Sequence, residues 1–149
     1  MYIGAGVILT NPKQQYVLVR DARSGRWGFP KGHPEIKDNK NPVNTAIREC
    51  EEETGMKPLI DYVIDISIAK RIGKRLYFYG ICTRESFDKA TMPTREISDV
   101  RWWDFDTIIS NEAVMNSDLR CWVKKMRSTK TSPKLGAMSG VSSAPSAVI

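Results

Sequence analysis

Valine, isoleucine, leucine and tyrosine fall in short runs along the chain, parted by polar and turn-forming residues, which is the pattern of β-strands with few helices between them. Residues 2–10 and 15–20 are two such runs, separated by the polar break that begins at Asn11-Pro12, and they predict a β-hairpin. After the loop at 21–26 comes Trp27-Gly28-Phe29-Pro30-Lys31-Gly32, where two glycines and a proline forbid a helix and leave a short strand entering a loop. Asn41 suits an N-cap, Pro42 the first helical position and Gly55 the left-handed residue past a helix end, so a helix is predicted over 42–54. Residues 59–69 and 75–83 are again β-rich, with Gly73 in the basic turn 70–74, and predict a second hairpin; residues 97–103 give one more strand. Ser117 or Asp118 caps a last helix over 119–126, whose Leu119, Trp122, Val123 and Met126 share one face.

Composition adds limits. A chain of 149 residues, 41% hydrophobic and 27% charged, fits one domain with a real core. We assign that domain to residues 1–127 and expect 128–149, rich in Ser, Ala, Gly and Lys, to be a flexible tail. No apolar run approaches the roughly 18 residues of a membrane helix, and the first one lacks the basic leader of a secretory signal. Cys50, Cys82 and Cys121 are far apart and form no C-x-x-C pair, which argues against a disulfide framework or zinc site and for a reducing, cytoplasmic setting. With His33 the single histidine, a histidine metal cluster is excluded and a Ser-His-Asp triad nearly so. The formal charge of +6 points to polyanionic partners such as nucleic acid, nucleotides or phosphoinositides. It is unevenly placed: residues 118–149 hold six Lys and Arg against one acid, so the preceding body is nearly neutral. Nothing in the pattern sets an oligomeric state.

The segment Arg48-Glu49-Cys50-Glu51-Glu52-Glu53-Thr54-Gly55-Met56 places four carboxylates in five positions of the predicted helix. Residues three and four apart are neighbours on a helix, so Glu49, Glu52 and Glu53 share a face while Glu51 points away. Val43, Ala46, Ile47, Cys50 and Thr54 form an apolar stripe beside them. Such a face is either a solvated acidic surface or a set of hard oxygen ligands suited to Mg²⁺ or Mn²⁺.

These residues resemble the Nudix hydrolase family, whose signature is G-x5-E-x7-R-E-U-x-E-E-x-G-U with U aliphatic. The second half matches from Arg48 to Met56, except that Cys50 replaces the first aliphatic. The first half departs: the sixth position after Gly32 is Asp38 instead of Glu, and Arg48 follows after nine residues instead of seven. A two-residue insertion accounts for this, with Asp38 or Glu35 taking the place of the glutamate that orients the arginine. The resemblance implies an α/β fold, an α/β/α sandwich around a mixed sheet, and Mg²⁺-dependent (or Mn²⁺-dependent) hydrolysis of a nucleoside diphosphate linked to another group. Glu49, Glu52 and Glu53 map onto the metal ligands, with the Gly32 carbonyl as a further one. Arg48 would fix the carboxylate rotamers, and Glu52 and Glu53 would act directly in catalysis. Residues 94–102 resemble the region after the box in mRNA-decapping members, which makes Glu96 a candidate general base or additional ligand.

The approach to the box narrows the substrate. The run from Trp27 to Gly32 resembles that of decapping enzymes, and Pro30-Lys31-Gly32-His33 is equally similar to asymmetric diadenosine tetraphosphate and diphosphoinositol polyphosphate hydrolases. Lys31 is expected to bind phosphate, with His33 beside it. Arg20, Arg23 and Arg26, then Lys70, Arg71, Lys74 and Arg75, suggest a polyanion track, and Trp27, Trp103 or Tyr79 could stack a base. The first expectation is cleavage of capped RNA. The alternatives are the two other polyphosphate classes or, in another class altogether, a non-catalytic Nudix-fold module that holds nucleotide or RNA.

Overall fold

The computed structural model describes residues 2–83 and 94–130. Seven strands form one mixed sheet: β1 (Gly4–Thr10), β2 (Tyr16–Asp21), β3 (Trp27–Gly28), β4 (Lys31–Gly32), β5 (Tyr62–Ile72), β6 (Arg75–Cys82) and β7 (Ile97–Trp103). The main path runs β3-β2-β1-β6-β5, with β4 on β1 and β7 on β2. Among the described residues three α-helices join the sheet, α1 (Pro42–Thr54), α2 (Phe105–Ser110) and α3 (Ser117–Lys130).

Both predicted hairpins exist, yet neither is arranged as local pattern suggests. Strands β1 and β2 pair antiparallel next to their turn, at Thr10 and Tyr16. The long partner of β1 is β6, which runs parallel to it over seven residue pairs from Gly4–Arg75 to Thr10–Ile81. The antiparallel partner of β2 is β7, from Tyr16–Trp103 to Asp21–Ile97, with an irregularity between Arg20 and Asp21. In the second hairpin β5 begins later and ends later than expected, so Lys70 and Arg71 lie within the strand instead of the turn.

Alternation along the strands divides the core between the two faces of the sheet. Ala5, Val7, Leu9, Val17 and Phe78 pack with Ala46 and Cys50 of α1. On the opposite face Ile8, Leu18, Phe29 and Tyr77 pack with Phe105 and Ile108 of α2 and Leu119 and Trp122 of α3. The expected α/β/α sandwich with a mixed sheet is therefore present. Helix α2 was not predicted; the signal was Asp104, whose side chain accepts from Thr107 N at 2.7 Å as an N-cap. Helix α3 runs on to Lys130, past the predicted end at Met126, so residues 128–130 are helical where a tail was expected. The remainder of that expected tail, 131–149, lies outside the described residues. Among the described residues no helix is long and apolar enough to cross a membrane, and all three cysteines are free thiols.

Candidate active site

Helix α1 is fixed at both ends by the chemistry read from sequence. Asn41 Oδ1 accepts from Val43 N at 3.0 Å, Pro42 opens the helix, and Gly55 closes it at φ 77°. Its Ala46, Cys50 and Thr54 are buried against the sheet, while Glu51 is exposed and turned away as expected. That docking aims the neighbouring face, with Glu49 and Glu53, at β4.

The choice between Glu35 and Asp38 is decided by burial and geometry. A short 3-10 turn, Ile36–Asp38, carries Asp38 inward to 2% exposure. There its carboxylate accepts from Arg48 Nε and Nη2, both at 3.0 Å, from Thr45 Oγ1 at 2.8 Å and from Glu35 N at 2.8 Å. The Arg48 bonds, reinforced by the Glu35 amide and Thr45, hold the Asp38 carboxyl well below the usual carboxylate range against the opposing effect of burial. Glu35 reaches Arg48 Nη1 at 3.1 Å but remains half exposed.

The rest of the Arg48 fork spans the loop and the helix. Nη2 donates to the His33 carbonyl at 2.8 Å, and Nη1 donates to Glu49 Oε1 at 2.9 Å and to Glu52 Oε2 at 3.0 Å. Asp38 is thus the residue that orients the arginine, and the arginine in turn orients Glu49 and Glu52.

A cleft of about 720 Å³ opens between the β2–β3 loop, β4, α1 and the segment before β7. Glu49, Glu53 and Glu96 line it. Glu49 is almost fully buried, and burial, only partly offset by Arg48, raises its carboxyl above the usual range. Burial next to Glu49 pushes the Glu53 carboxyl up to about 8, despite the Lys31 amide that donates to its Oε1 at 3.1 Å. Glu96 is exposed, but its charge is felt by both of the others.

Gly32 is required by the close approach of Glu49. A Cβ there would overlap the Glu49 carboxylate, so only glycine lets that side chain lie across β4. Gly32→Ala is expected to cost about 1–3 kcal/mol of stability through overpacking. A thermal melt checks this, and an unchanged Tm would show that Glu49 is free to rotate away.

Glu52 is half exposed, and the same Arg48 Nη1 that holds Glu49 ties it to that carboxylate. Other expectations are corrected. Trp27 is a core residue at 7% exposure, edge-on to Trp103 at 5.0 Å, and unavailable to stack a base. Tyr79 packs against the α3 face of the core and accepts from Trp122 Nε1 at 3.1 Å. Arg20 donates to the Gly25 carbonyl at 3.1 Å, within its own loop. Lys70 and Lys74 belong to the β5–β6 hairpin and do not line the cleft, whereas Lys31 does. Sequence reading placed Arg23 in the polyanion track but did not single out Arg95, and both line the cleft. They meet through the pairing of β2 with β7, a contact between segments distant in sequence.

Among the described residues no three of His, Cys, Asp and Glu close into a ready-made cation cage. The donor set nevertheless fits a hard divalent cation: the carboxylates of Glu49, Glu53 and Glu96 line one cleft beside the Gly32 backbone.

The m7GpppN-mRNA hydrolase of Saccharomyces cerevisiae is 28% identical over 145 residues, covering 89% of this chain and 14% of that protein. The mRNA decapping complex subunit 2 of Schizosaccharomyces pombe is 35% identical over 108 residues, 67% of this chain and again 14% of the relative. The chain therefore spans about a seventh of the length of these relatives. In fold it matches the Caenorhabditis elegans Ap4A hydrolase in a binary complex, with a TM-score of 0.62 at 18% identity, over 84% of this chain and 98% of the other. The family model for the NUDIX domain matches residues 2–126, and the chain belongs to that family.

Proposed function

We propose that the chain is a divalent-cation-dependent pyrophosphohydrolase acting on a nucleoside polyphosphate, with cleavage of capped RNA as its first reaction. The observation that carries this reading is the pair Glu49 and Glu53, partly stripped of solvent and facing Glu96 across a cleft whose other walls hold Lys31. Its decapping relatives favour the capped substrate over the diadenosine tetraphosphate and diphosphoinositol alternatives.

Members of this family generally use a divalent metal; here Glu49 and Glu53, with the Gly32 carbonyl, would hold Mg²⁺ or Mn²⁺. When bound, the cation supplies charge neutralisation to phosphate oxygens that would otherwise repel an attacking water. The chain's own groups do the remainder. Arg48, anchored by Asp38, keeps Glu49 in one rotamer and ties Glu52 to it. Lys31 brings a compact positive charge to the phosphate beside Gly32. Glu96 is placed to take the proton from the attacking water as a P–O bond of the anhydride breaks.

The test is incubation of the full chain and Mg²⁺ with capped RNA, diadenosine tetraphosphate, ADP-ribose and diphosphoinositol pentakisphosphate. Capped RNA is expected to be cleaved fastest. Faster turnover of another compound moves the substrate assignment, and silence across all four rejects the hydrolase.

A further inference from the structure

The cleft has a second half that the metal-site residues leave unused. Arg23 sits on the β2–β3 loop and Arg95 on the segment leading into β7, and both line the same cavity as Glu49 and Glu53. The two segments are tied together. Ala22 N donates to the Glu96 carbonyl at 2.8 Å, and Asp21 pairs with Ile97 in the sheet. Each segment is also braced from within. Asp21 Oδ1 accepts from Arg23 N at 2.9 Å and Ser24 N at 2.7 Å, while Thr94 Oγ1 accepts from Glu96 N at 3.2 Å and Ile97 N at 3.0 Å. Backbone geometry, and not side-chain pairing, thus sets where the two guanidinium groups begin. Among the described residues neither arginine is paired with a carboxylate, whereas Arg48 and Arg75 both are.

Charge accounting gives these arginines a purpose. Glu35 is already paired with Arg48 and Lys37, and Asp21 is bound by two backbone amides. Glu49, Glu53 and Glu96 face divalent cations in the reading above. A diphosphate bridge brings about two negative charges, which such cations and Lys31 suffice to balance; each further phosphate adds about one more that they do not reach. A guanidinium fork matches phosphate oxygens in pairs and keeps its charge at every accessible pH.

We propose that Arg23 and Arg95, held on two hydrogen-bonded segments across the cleft from Glu49 and Glu53, form a phosphate clamp that selects bridges of three or more phosphates over diphosphate bridges. The clamp rests on the hydrolase reading for its biological use, but its binding preference can be measured independently. Both arginines are exposed, so Arg23→Gln and Arg95→Gln are expected to fold, which a thermal melt verifies.

Inorganic tripolyphosphate and pyrophosphate are titrated calorimetrically into the full chain with Ca²⁺ as the divalent cation. The wild type is expected to bind tripolyphosphate at least about tenfold more tightly than pyrophosphate, a preference that the double variant brings to within about threefold of parity. A wild type without preference, or a double variant that keeps it, overturns the clamp. The same proteins are then assayed with Mg²⁺ on dinucleotides bridged by two, three and four phosphates. A wild type that shows the binding preference but cleaves none of them rejects the hydrolase and leaves the clamp standing. Cleavage whose selectivity survives both substitutions rejects the clamp alone.

Discussion

Glu53→Gln is expected to lower turnover by about 10²- to 10⁴-fold while leaving the fold intact or slightly firmer. The two effects have one origin. Burial beside Glu49 raises the Glu53 carboxyl to about 8, so in the absence of a cation the folded chain holds a proton there that the unfolded chain, at the ordinary glutamate value, releases. Stability from this group is therefore fully present below about pH 4.5 and lost progressively as pH rises to about 8. In chelator, the glutamine variant should melt higher than wild type at pH 8 and no higher at pH 4.5. A variant that loses activity without this pH-dependent gain would place Glu53 in contact with substrate but outside the strained carboxylate pair. One that retains activity would remove it from the site altogether.

Asp38→Ala carries the other large effect, with the opposite pH sign. The substitution strips Arg48 Nε and Nη2 and the Thr45 hydroxyl of their shared acceptor in a site with little solvent access. Losing one partner of such a buried pair costs about 3 kcal/mol, and calorimetry should record a Tm lower by about 6–12 °C. Because Arg48 holds the Asp38 carboxyl below its ordinary value, this contribution is present above about pH 4 and is lost as pH falls through the folded value. Wild type and variant should therefore converge in stability in acid and diverge toward neutrality. Release of Arg48 also unpins Glu49 and Glu52, so turnover should fall about 10- to 100-fold, the scale of a lost positioning contact. A variant stable at neutral pH but equally slow would show that Asp38 positions the site without holding the loop.

The parts of this architecture that local chemistry dictates were legible in the sequence. Asn41, Pro42 and Gly55 bound α1 because capping is decided within a turn of the residue concerned. The carboxylates of α1 were legible as a cluster, whereas the tie that Arg48, one turn away, makes between Glu49 and Glu52 was visible only in the structure. The irregular spacing before the helix left Glu35 and Asp38 equivalent until the 3-10 turn showed which carboxylate is buried.

What remained hidden depends on pairing between distant strands. Trp27 lies in the core because β3 joins the edge of β2 and its ring packs on Trp103 of β7. Lys70 and Arg71 are strand residues because β5 continues to Ile72. Arg23 and Arg95 share a cleft through the register of β2 on β7, 72 positions apart, which no local motif announces.

The central claim, that the Glu49–Glu53 cleft hydrolyses a phosphoanhydride with a divalent cation, is tested most directly by the rate of cap cleavage against free Mg²⁺ for the wild-type chain. The expected result is a saturable rise from no cleavage in chelator, with Glu53→Gln near the chelator level throughout. Capped RNA that binds yet stays intact across the whole Mg²⁺ range would contradict it and make the chain a binding module.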